Sequence, residues 1–354
     1  MILKRLHILF FLPLILACSE RKVIEARAPG QLPDSVTMAN LYEEVKTPHK
    51  YGIVLREEGD NVDCPSVFRY EDRWYMTYII FGGTGYETAI AVSDDLLNWE
   101  KLGNILSFSE GRWDDLQKAG YIALQDYLWG GSYEVEKFRG AYRMSYLGGK
   151  LGGYETDPLS IGLAWSKDLT RAEEWKKQDA PALSGSQPDA RYFEKLTLYK
   201  SNIIRDPDKT LGYPFIMFYN AKSETGYERI TMAVSKNMVD WVRYGEEPLI
   251  DNGSGISGDP QITKIGDLYV MFYFGAFYRP GAFDTFAASY DLVNWTKWEG
   301  PDLVASTEAY DSLFAHKPWV IKYNGIVYHY YCAVGDQGRV IALATSKPVT
   351  NLKN

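Results

Sequence analysis

The sequence predicts an all-β fold assembled from five copies of one strand pattern, and three observations support this prediction. A short run of aromatic and β-branched residues recurs five times, a turn sequence precedes each run, and a strand rich in small residues follows it. Aromatic and β-branched residues favour strands, and an internal repeat constrains the fold more strongly than local propensity does. The repeat therefore predicts a radial or stacked arrangement of similar β-units.

The recurring run is interpreted as the second strand of a hairpin. Turn-forming pairs such as Glu71-Asp72 and Asn324-Gly325 stand directly before it, and an apolar stretch precedes each turn. The sequence therefore predicts five hairpins, whose second strands include residues 74–78, 142–146, 215–219, 269–273 and 327–331.

Each hairpin is followed by a third strand that ends in serine, and four of the five then reach a tryptophan that opens a fourth strand. The last repeat lacks a fourth strand, whereas residues 50–55 carry its pattern. We therefore expect this N-terminal segment to add the outer strand of the last repeat and to close a ring. A five-bladed β-propeller over residues 46–354 follows, because radial repetition leaves short, protected sheet edges. Two stacked β-sandwich domains are the alternative, but they explain neither the fivefold pattern nor the displaced strand.

The N-terminus is predicted to lie outside this domain. Residues 1–18 combine the basic pair Lys4-Arg5, an apolar stretch and Leu16-Ala17-Cys18, which resembles a bacterial lipoprotein signal. Cys18 would then be lipidated, residues 19–45 would form a tether, and the protein would be anchored at the bacterial cell envelope. The alternative is an ordinary signal peptide with a cysteine nearby.

The composition narrows the classes of molecule that the protein is expected to bind. The formal net charge is -8 and the pI is about 5.2, which disfavours nucleic acid and anionic lipid as partners and favours a neutral substrate. Cys64 and Cys332 fall inside apolar strand patterns, which favours buried free thiols over the disulfide that export would permit. The sequence makes no prediction of oligomeric state.

Polar residues at the start of the innermost strands are expected to face a common pocket, because these strands line the central channel of a propeller. The candidates are carboxylates followed closely by proline, a histidine, and a glutamate in the second repeat, namely Asp63, Asp206, Asp259, His316 and Glu134. An Asp-Pro pair is also a common turn opener. Converging carboxylates repel one another, so that one can stay protonated while another is ionised, as acid–base catalysis requires.

Five repeats with an aspartate at the first opening resemble the clan of β-propeller glycoside hydrolases that includes families 32, 43, 68, 117 and 130. The resemblance implies that Asp63 is the general base, as in families 43 and 117. Arg205-Asp206-Pro207 is similar to the Arg-Asp-Pro triplet of families 32 and 68, whose carboxylate binds sugar hydroxyls. The chain lacks the Glu-Cys motif of family 32 and the Glu-Gly-Pro motif of family 43, so the general acid stays open.

Glu134 is the first candidate for that acid, and His316 is the second, by similarity to family 117. Glu194 and Glu308 are weaker candidates because they fall in connecting segments. The remaining histidine of a strand, His329, is interpreted as a core residue.

Sugar-binding residues are expected near the blade openings. Trp129, Phe277 and Trp319 offer ring faces for a sugar, and Arg205 and Lys317 offer cations. No cofactor is required and no residue cluster predicts a metal site, although a structural ion in the channel is compatible with the fold.

The sequence therefore predicts an exo-acting, inverting glycosidase of oligosaccharides or polysaccharides. If the gap between the two carboxylates is too short for a water, Asp63 would instead be the nucleophile of a retaining enzyme. The alternatives are a glycan-binding lipoprotein without activity, and a phosphorolytic enzyme similar to family 130, which would need cations for phosphate.

Overall fold

A computed structural model describes residues 23–26 and 30–349 of the 354-residue chain. The predicted signal sequence and Cys18 lie outside the described residues. Strands dominate the described part, with one α-helix, α1 (Ser35–Val45), and three single-turn 3-10 helices at Ala172–Glu174, Tyr192–Glu194 and Ala309–Asp311. The predicted all-β class is confirmed.

The described strands pair in five antiparallel groups. The first contains β2 (Asn61–Tyr70), β3 (Arg73–Phe81), β4 (Tyr86–Ser93) and β5 (Glu100–Leu106), and the second contains β6 (Gln117–Ile122), β7 (Tyr142–Gly149), β8 (Ser160–Ser166) and β9 (Lys176–Lys177). The third contains β10 (Thr197–Arg205), β11 (Phe215–Lys222), β12 (Glu228–Ser235) and β13 (Trp241–Tyr244). The fourth contains β14 (Ile256–Ile265), β15 (Leu268–Ala276), β16 (Ala282–Ser289) and β17 (Thr296–Lys297).

The fifth group combines the first strand of the described chain with the last three. It contains β18 (Phe314–Tyr323), β19 (Ile326–Gly335), β20 (Gly338–Thr345) and β1 (His49–Leu55). β1 pairs antiparallel with β20, from His49 opposite Thr345 to Leu55 opposite Ile341. This is the pairing predicted for residues 50–55. Each group packs on the next along the chain, and β18 and β20 pack on β2 of the first group.

The repeated serine at the end of the third strand has a local structural cause. The hydroxyl of Ser93 accepts hydrogen bonds from the backbone N–H groups of Asp95 and Leu96, and Ser289 does the same for Asp291 and Leu292. Serine oxygens readily satisfy backbone donors in this way, which stabilises a tight turn. In the first four groups this serine therefore marks the turn into the fourth strand.

Helix α1 occupies part of the segment that the sequence assigns to a tether. Asp34 caps its N-terminus by accepting a hydrogen bond from the Thr37 N–H at 2.8 Å. Met38, Leu41 and Val45 are buried against β15 and β16 of the fourth group. Their spacing of three and four residues places them on one helix face, so residues 35–45 dock on the strands instead of standing free.

Candidate functional site

A pocket of about 200 Å³ lies at the end of the molecule where the innermost strands β2, β10, β14 and β18 begin. Its lining combines polar and charged side chains with apolar ones. The polar and charged set includes Glu155, Asn220, Glu228, Asp259, Lys317 and Arg339, and the apolar set includes Ile256, Phe274, Ala276, Phe277, Ala282 and Phe314. A concave site with converging polar groups is the expected form of an active site.

A larger cavity of about 610 Å³ lies elsewhere, beside β1. Its carboxylates, Asp302 and Glu308, are partly or fully exposed, and its Lys50 is bonded to Asp311 outside the cavity lining. Ionisable groups with strongly shifted pKa values surround the smaller pocket instead. The smaller pocket is therefore the candidate active site.

A β-bulge shapes the inner strands at this pocket. The ladder is interrupted between Asp63 and Ser66 in β2, and in the same way between Gly258 and Gln261 in β14 and between His316 and Trp319 in β18. The first extra residue of each bulge has a positive φ and precedes a proline; these residues are Cys64, Asp259 and Lys317. A bulge re-aims side chains, and a positive φ is uncommon outside glycine. The bulges thus set the side chains at the pocket end.

Asp63 lies beside this pocket and is 3% exposed. Its Oδ2 accepts hydrogen bonds from Lys317 Nζ at 2.8 Å, Arg339 at 3.1 Å and the Tyr154 hydroxyl at 3.1 Å, and its Oδ1 accepts one from the Cys64 N–H at 2.9 Å. Burial alone would raise the pKa of Asp63, but the Lys317 and Arg339 charges outweigh it and hold the pKa well below its usual range. Asp63 is therefore a fixed anion.

Lys317 connects Asp63 to a second carboxylate. Its ammonium also donates to Glu155 Oε1 at 3.0 Å, and the Lys317 residue is 6% exposed. Burial would lower the pKa of Lys317, but the Asp63 and Glu155 carboxylates raise it well above the ordinary value, so Lys317 is a cation. Glu155 comes from the connection between β7 and β8 and faces the pocket.

Glu228 is the first residue of β12 and is a buried residue of the pocket lining. Burial, followed by the charge of Glu155, raises the pKa of Glu228 to about 8, although Lys222 and a 2.8 Å hydrogen bond from the Asn220 amide act in the opposite direction. A carboxyl group with this pKa carries its proton at neutral pH. Glu228 is therefore suited to donate a proton.

Asp259 lies deeper, between Cys64 and Lys200. The Cys64 thiol donates to Asp259 Oδ2 at 3.4 Å, and the buried Lys200 ammonium lies 3.9 Å from the same oxygen. Burial raises the pKa of Asp259; Lys200 and Lys317 oppose this, and the nearby carboxylates Asp63 and Glu155 raise it further. Cys64 and Cys332 are both free and buried, as predicted.

His316 is held in its neutral form. Its Nδ1 lies 3.1 Å from the Cys332 carbonyl, to which it donates, and its Nε2 then accepts from Arg339 at 3.4 Å. Burial, Arg339 and Lys317 lower the pKa of His316 to about 3. The Nε2 atom has no proton to give at neutral pH, which argues against the predicted role of His316 as a general acid.

The structure brings together only part of the predicted site. Asp259, His316, Lys317 and Phe277 line the pocket, and Asp63 is bonded to the lining residue Lys317. Trp319 is buried outside the lining and donates from Nε1 to the Val67 carbonyl at 2.8 Å.

Four other predicted residues lie at the opposite end of the inner strands, and their predicted position at the pocket is wrong. Arg205 ends β10 and Asp206 follows it, so Asp206 stands in a turn and accepts hydrogen bonds from the Asp208 and Thr210 N–H groups. Trp129 and Glu134 lie in the connection from β6 to β7, where Trp129 contacts the end of β14. In this second group the inner strand begins at Gln117, before that connection.

Glu155, Glu228 and Arg339 were missed by the sequence-based reasoning, although a signal was present. Alternate strands of an antiparallel group run in the same direction, so a third strand begins at the same end as the first. Glu228 and Arg339 are at the start of β12 and β20, and Glu155 precedes β8. Residues at the start of the third strands therefore lie at the same end of the molecule as those at the start of the inner strands.

Residues 23–26 and 30–349 contain no group of three or more His, Cys, Asp or Glu side chains placed to hold a metal ion. Over the same ranges, no helix has the length and apolar character needed to span a membrane.

Comparison with known proteins places this geometry in context. No protein-family model and no curated protein matches the sequence. A solved structure described as a glycoside hydrolase is similar at 48% identity with a TM-score of 0.86, covering 91% of this chain and 98% of that chain. A structure described as a BT0996–RGII complex has 49% identity and a TM-score of 0.86, covering 91% and 97%.

A thermostable family-43 glycoside hydrolase shares the fold, with a TM-score of 0.62 at 14% identity over 86% of this chain and 98% of that chain. The predicted resemblance to propeller-type glycoside hydrolases is thus confirmed. With nearly half its residues identical to one such enzyme over almost its whole length, the chain belongs to the glycoside hydrolases and cleaves O-glycosyl bonds.

Proposed function

We propose that the enzyme hydrolyses the bond to a sugar held in the 200 Å³ pocket, with Glu228 as general acid and Glu155 as the opposing carboxylate. The observation that carries this proposal is Glu228, a pocket-lining carboxyl whose pKa of about 8 keeps it protonated at neutral pH. Glycoside hydrolysis needs one carboxylic acid to protonate the leaving oxygen and one carboxylate that activates water or attacks the sugar.

Glu155 is the better candidate for that carboxylate than Asp63. Both oxygens of Asp63 are occupied by protein donors, three of them on Oδ2. Glu155 lines the pocket and keeps more of its side chain accessible, 28% against 4% for Asp63. The inverting outcome predicted through Asp63 stays a prediction, and proton NMR of the first anomer released tests it.

Exo-action is supported by the size of the pocket. Sites for drug-sized ligands commonly measure about 300–1,000 Å³, whereas this pocket has about 200 Å³. Such a volume suits one terminal sugar rather than a chain threading through. We therefore propose that the enzyme removes a terminal residue from an oligosaccharide, and RGII oligosaccharides are the first substrates to test because of the similar complex.

The alternative functions receive less support. A binding protein would have no use for a protonated acid that shares the pocket with a second carboxyl group. A phosphorolytic enzyme would need free cations, but Lys317 and Arg339, the cations that the described residues contribute to the pocket lining, are bonded to Asp63.

We also propose that the five strand groups form a closed five-bladed propeller. The pairing of β1 with β20 and the packing of the fifth group on the first support closure. Anchoring at the cell envelope through Cys18 remains a proposal from the sequence. Incorporation of radiolabelled palmitate into the wild type but not into Cys18→Ala in the bacterial host would support it.

The proposed chemistry is tested by Glu228→Gln, which keeps the side-chain shape but cannot donate the acid proton. We expect turnover of RGII oligosaccharides to fall about 10²–10⁴-fold, the range typical of a general acid. Glu134→Gln, at the opposite end of the molecule, is the matched control and should retain wild-type turnover. Wild-type turnover in Glu228→Gln would contradict the proposal.

A further inference from the structure

We propose that Asp63 is a positioning residue: together with Arg339 it fixes the Lys317 ammonium, and Lys317 in turn holds Glu155 in the pocket. This inference rests on the proposed function, in which Glu155 is a catalytic carboxylate. It assigns to Asp63 a role different from the general base that the sequence predicts.

The first support is the chain of contacts. Lys317 Nζ lies 2.8 Å from Asp63 Oδ2 and 3.0 Å from Glu155 Oε1, so one ammonium bridges two carboxylates. Arg339 donates to the same Asp63 oxygen at 3.1 Å. Charge-assisted hydrogen bonds of this length are strong and directional, and here both cations and the aspartate are largely buried.

The second support is the segment that carries Glu155. Tyr154 and Glu155 lie in the connection between β7 and β8, outside the strand ladder, and Glu155 has a φ of 47°. The Tyr154 hydroxyl donates to Asp63 Oδ2 at 3.1 Å while the neighbouring Glu155 accepts from Lys317. Two consecutive side chains of this connection therefore bind the Asp63–Lys317 pair. These contacts stabilise a segment that has no strand hydrogen bonds and an uncommon backbone conformation.

The third support is that Asp63 is poorly accessible from the pocket. Asp63 is absent from the pocket lining, and its two oxygens already accept four hydrogen bonds from protein groups. A group in this state is poorly placed to take a proton from a water in the pocket. Its position instead determines where the Lys317 ammonium stands.

The first experiment compares kcat and KM for RGII oligosaccharides in wild type and Asp63→Asn. Asparagine keeps the size of the side chain and the acceptor for the Cys64 N–H, but it removes the charge that fixes Lys317. We expect kcat to fall about 10²-fold, the cost typical of misplacing a reacting group by about 1 Å, with KM changed less than about twofold. Unchanged kcat in folded Asp63→Asn would overturn the inference.

The matched control is Asp311→Asn, which removes an equally buried aspartate bonded to a lysine, Lys50, away from the pocket. It should lower thermal stability while leaving kcat intact. If Asp63→Asn does not fold, Lys317→Met decides the question, because it leaves Asp63 paired with Arg339; a wild-type kcat in that variant overturns the inference.

Azide distinguishes a positioning residue from a group that reacts. In Glu155→Ala, azide can attack the anomeric carbon as the leaving oxygen takes the proton of Glu228, which gives a glycosyl azide. We expect azide to restore turnover in Glu155→Ala and not in Asp63→Ala. Glycosyl azide formed by Asp63→Ala would show that Asp63 itself reacts, which overturns the inference.

A crystal structure of Asp63→Asn provides a readout that needs no substrate. Glu155 should move away from its wild-type position in the pocket, and an unmoved Glu155 would contradict the inference. The proposed function fails separately, if Glu155→Gln or Glu228→Gln keeps wild-type turnover.

Discussion

Both ends of the inner strands carry an ion pair between an acidic and a basic residue, but the pair at the pocket end is buried and the pair at the opposite end is exposed. At the pocket end, the side chains of Asp63 and Lys317 form an ion pair with exposures of 4% and 8%. At the opposite end, Glu136 and Arg205 form an ion pair with exposures of 44% and 45%. Burying charge costs free energy, and an exposed pair contributes little to stability. A buried, interconnected cluster of charges in a cleft therefore indicates a functional site, whereas the exposed pair is a surface feature.

The largest contrast is expected between two arginines. Arg339→Met removes a hydrogen bond to Asp63 and the contact of the guanidinium with the Tyr154 ring, 5.1 Å away. We expect kcat/KM for RGII oligosaccharides to fall about 10²-fold, since the supports of Lys317 and Tyr154 are both weakened. Arg205→Met, which removes the exposed pair, should change kcat/KM less than about twofold. An equal loss of kcat/KM in both variants would contradict the proposal that only the pocket end of the inner strands is functional.

A second contrast concerns stability and pH. Glu228 has a folded-state pKa of about 8 against an ordinary value of 4.5. The folded state binds a proton that the unfolded chain has released, so the contribution of Glu228 to stability falls as pH rises from about 4.5 to 8. At pH 9, Glu228→Gln should therefore have a higher free energy of unfolding than wild type, by on the order of a few kcal/mol, and a higher melting temperature. At pH 5 the difference should be much smaller.

Thermal melts of both proteins at the two pH values measure this difference. Glu136→Gln at the opposite end should show no such pH-dependent gain. A pH-independent difference between wild type and Glu228→Gln would contradict the raised pKa.

The smallest contrast is between two aromatic residues. Phe277 is 64% exposed at the pocket, and its ring contacts Phe314, whose ring contacts His316. Stacking on a sugar face should contribute about 0.5–1.5 kcal/mol, so Phe277→Ala should raise KM for RGII oligosaccharides up to about tenfold. Trp129→Phe loses its hydrogen bond to Glu44, 2.7 Å long, and should lower thermal stability without changing KM.

Sequence patterns predicted the repeats well because each rests on local chemistry. Ser93 and Ser289 end their strands because they cap the turn that follows, and the 50–55 segment pairs with β20 because it carries the missing outer-strand pattern. Asp63 and Asp259 were placed at the correct end because a proline within the bulge marks the start of an inner strand.

The catalytic candidates were harder to predict. Asp206 also precedes a proline, but its carboxylate accepts hydrogen bonds from its own turn, and nothing in an Asp-Pro pair separates these two uses. Glu228 and Glu155 belong to different strand groups, far apart in sequence. Their proximity, and therefore the raised pKa of Glu228, depends on how the groups pack, which the pattern of any single repeat does not contain.

The proposed acid role of Glu228 requires that this residue carries a proton in the resting enzyme at neutral pH. Infrared difference spectra of wild type minus Glu228→Gln, recorded across pH 4 to 10, measure its carboxyl and carboxylate bands directly. We predict a protonated carboxyl at pH 7 that is lost with a midpoint near pH 8. An ionised Glu228 at pH 7, with a midpoint near the ordinary value of 4.5, would contradict its assignment as the acid.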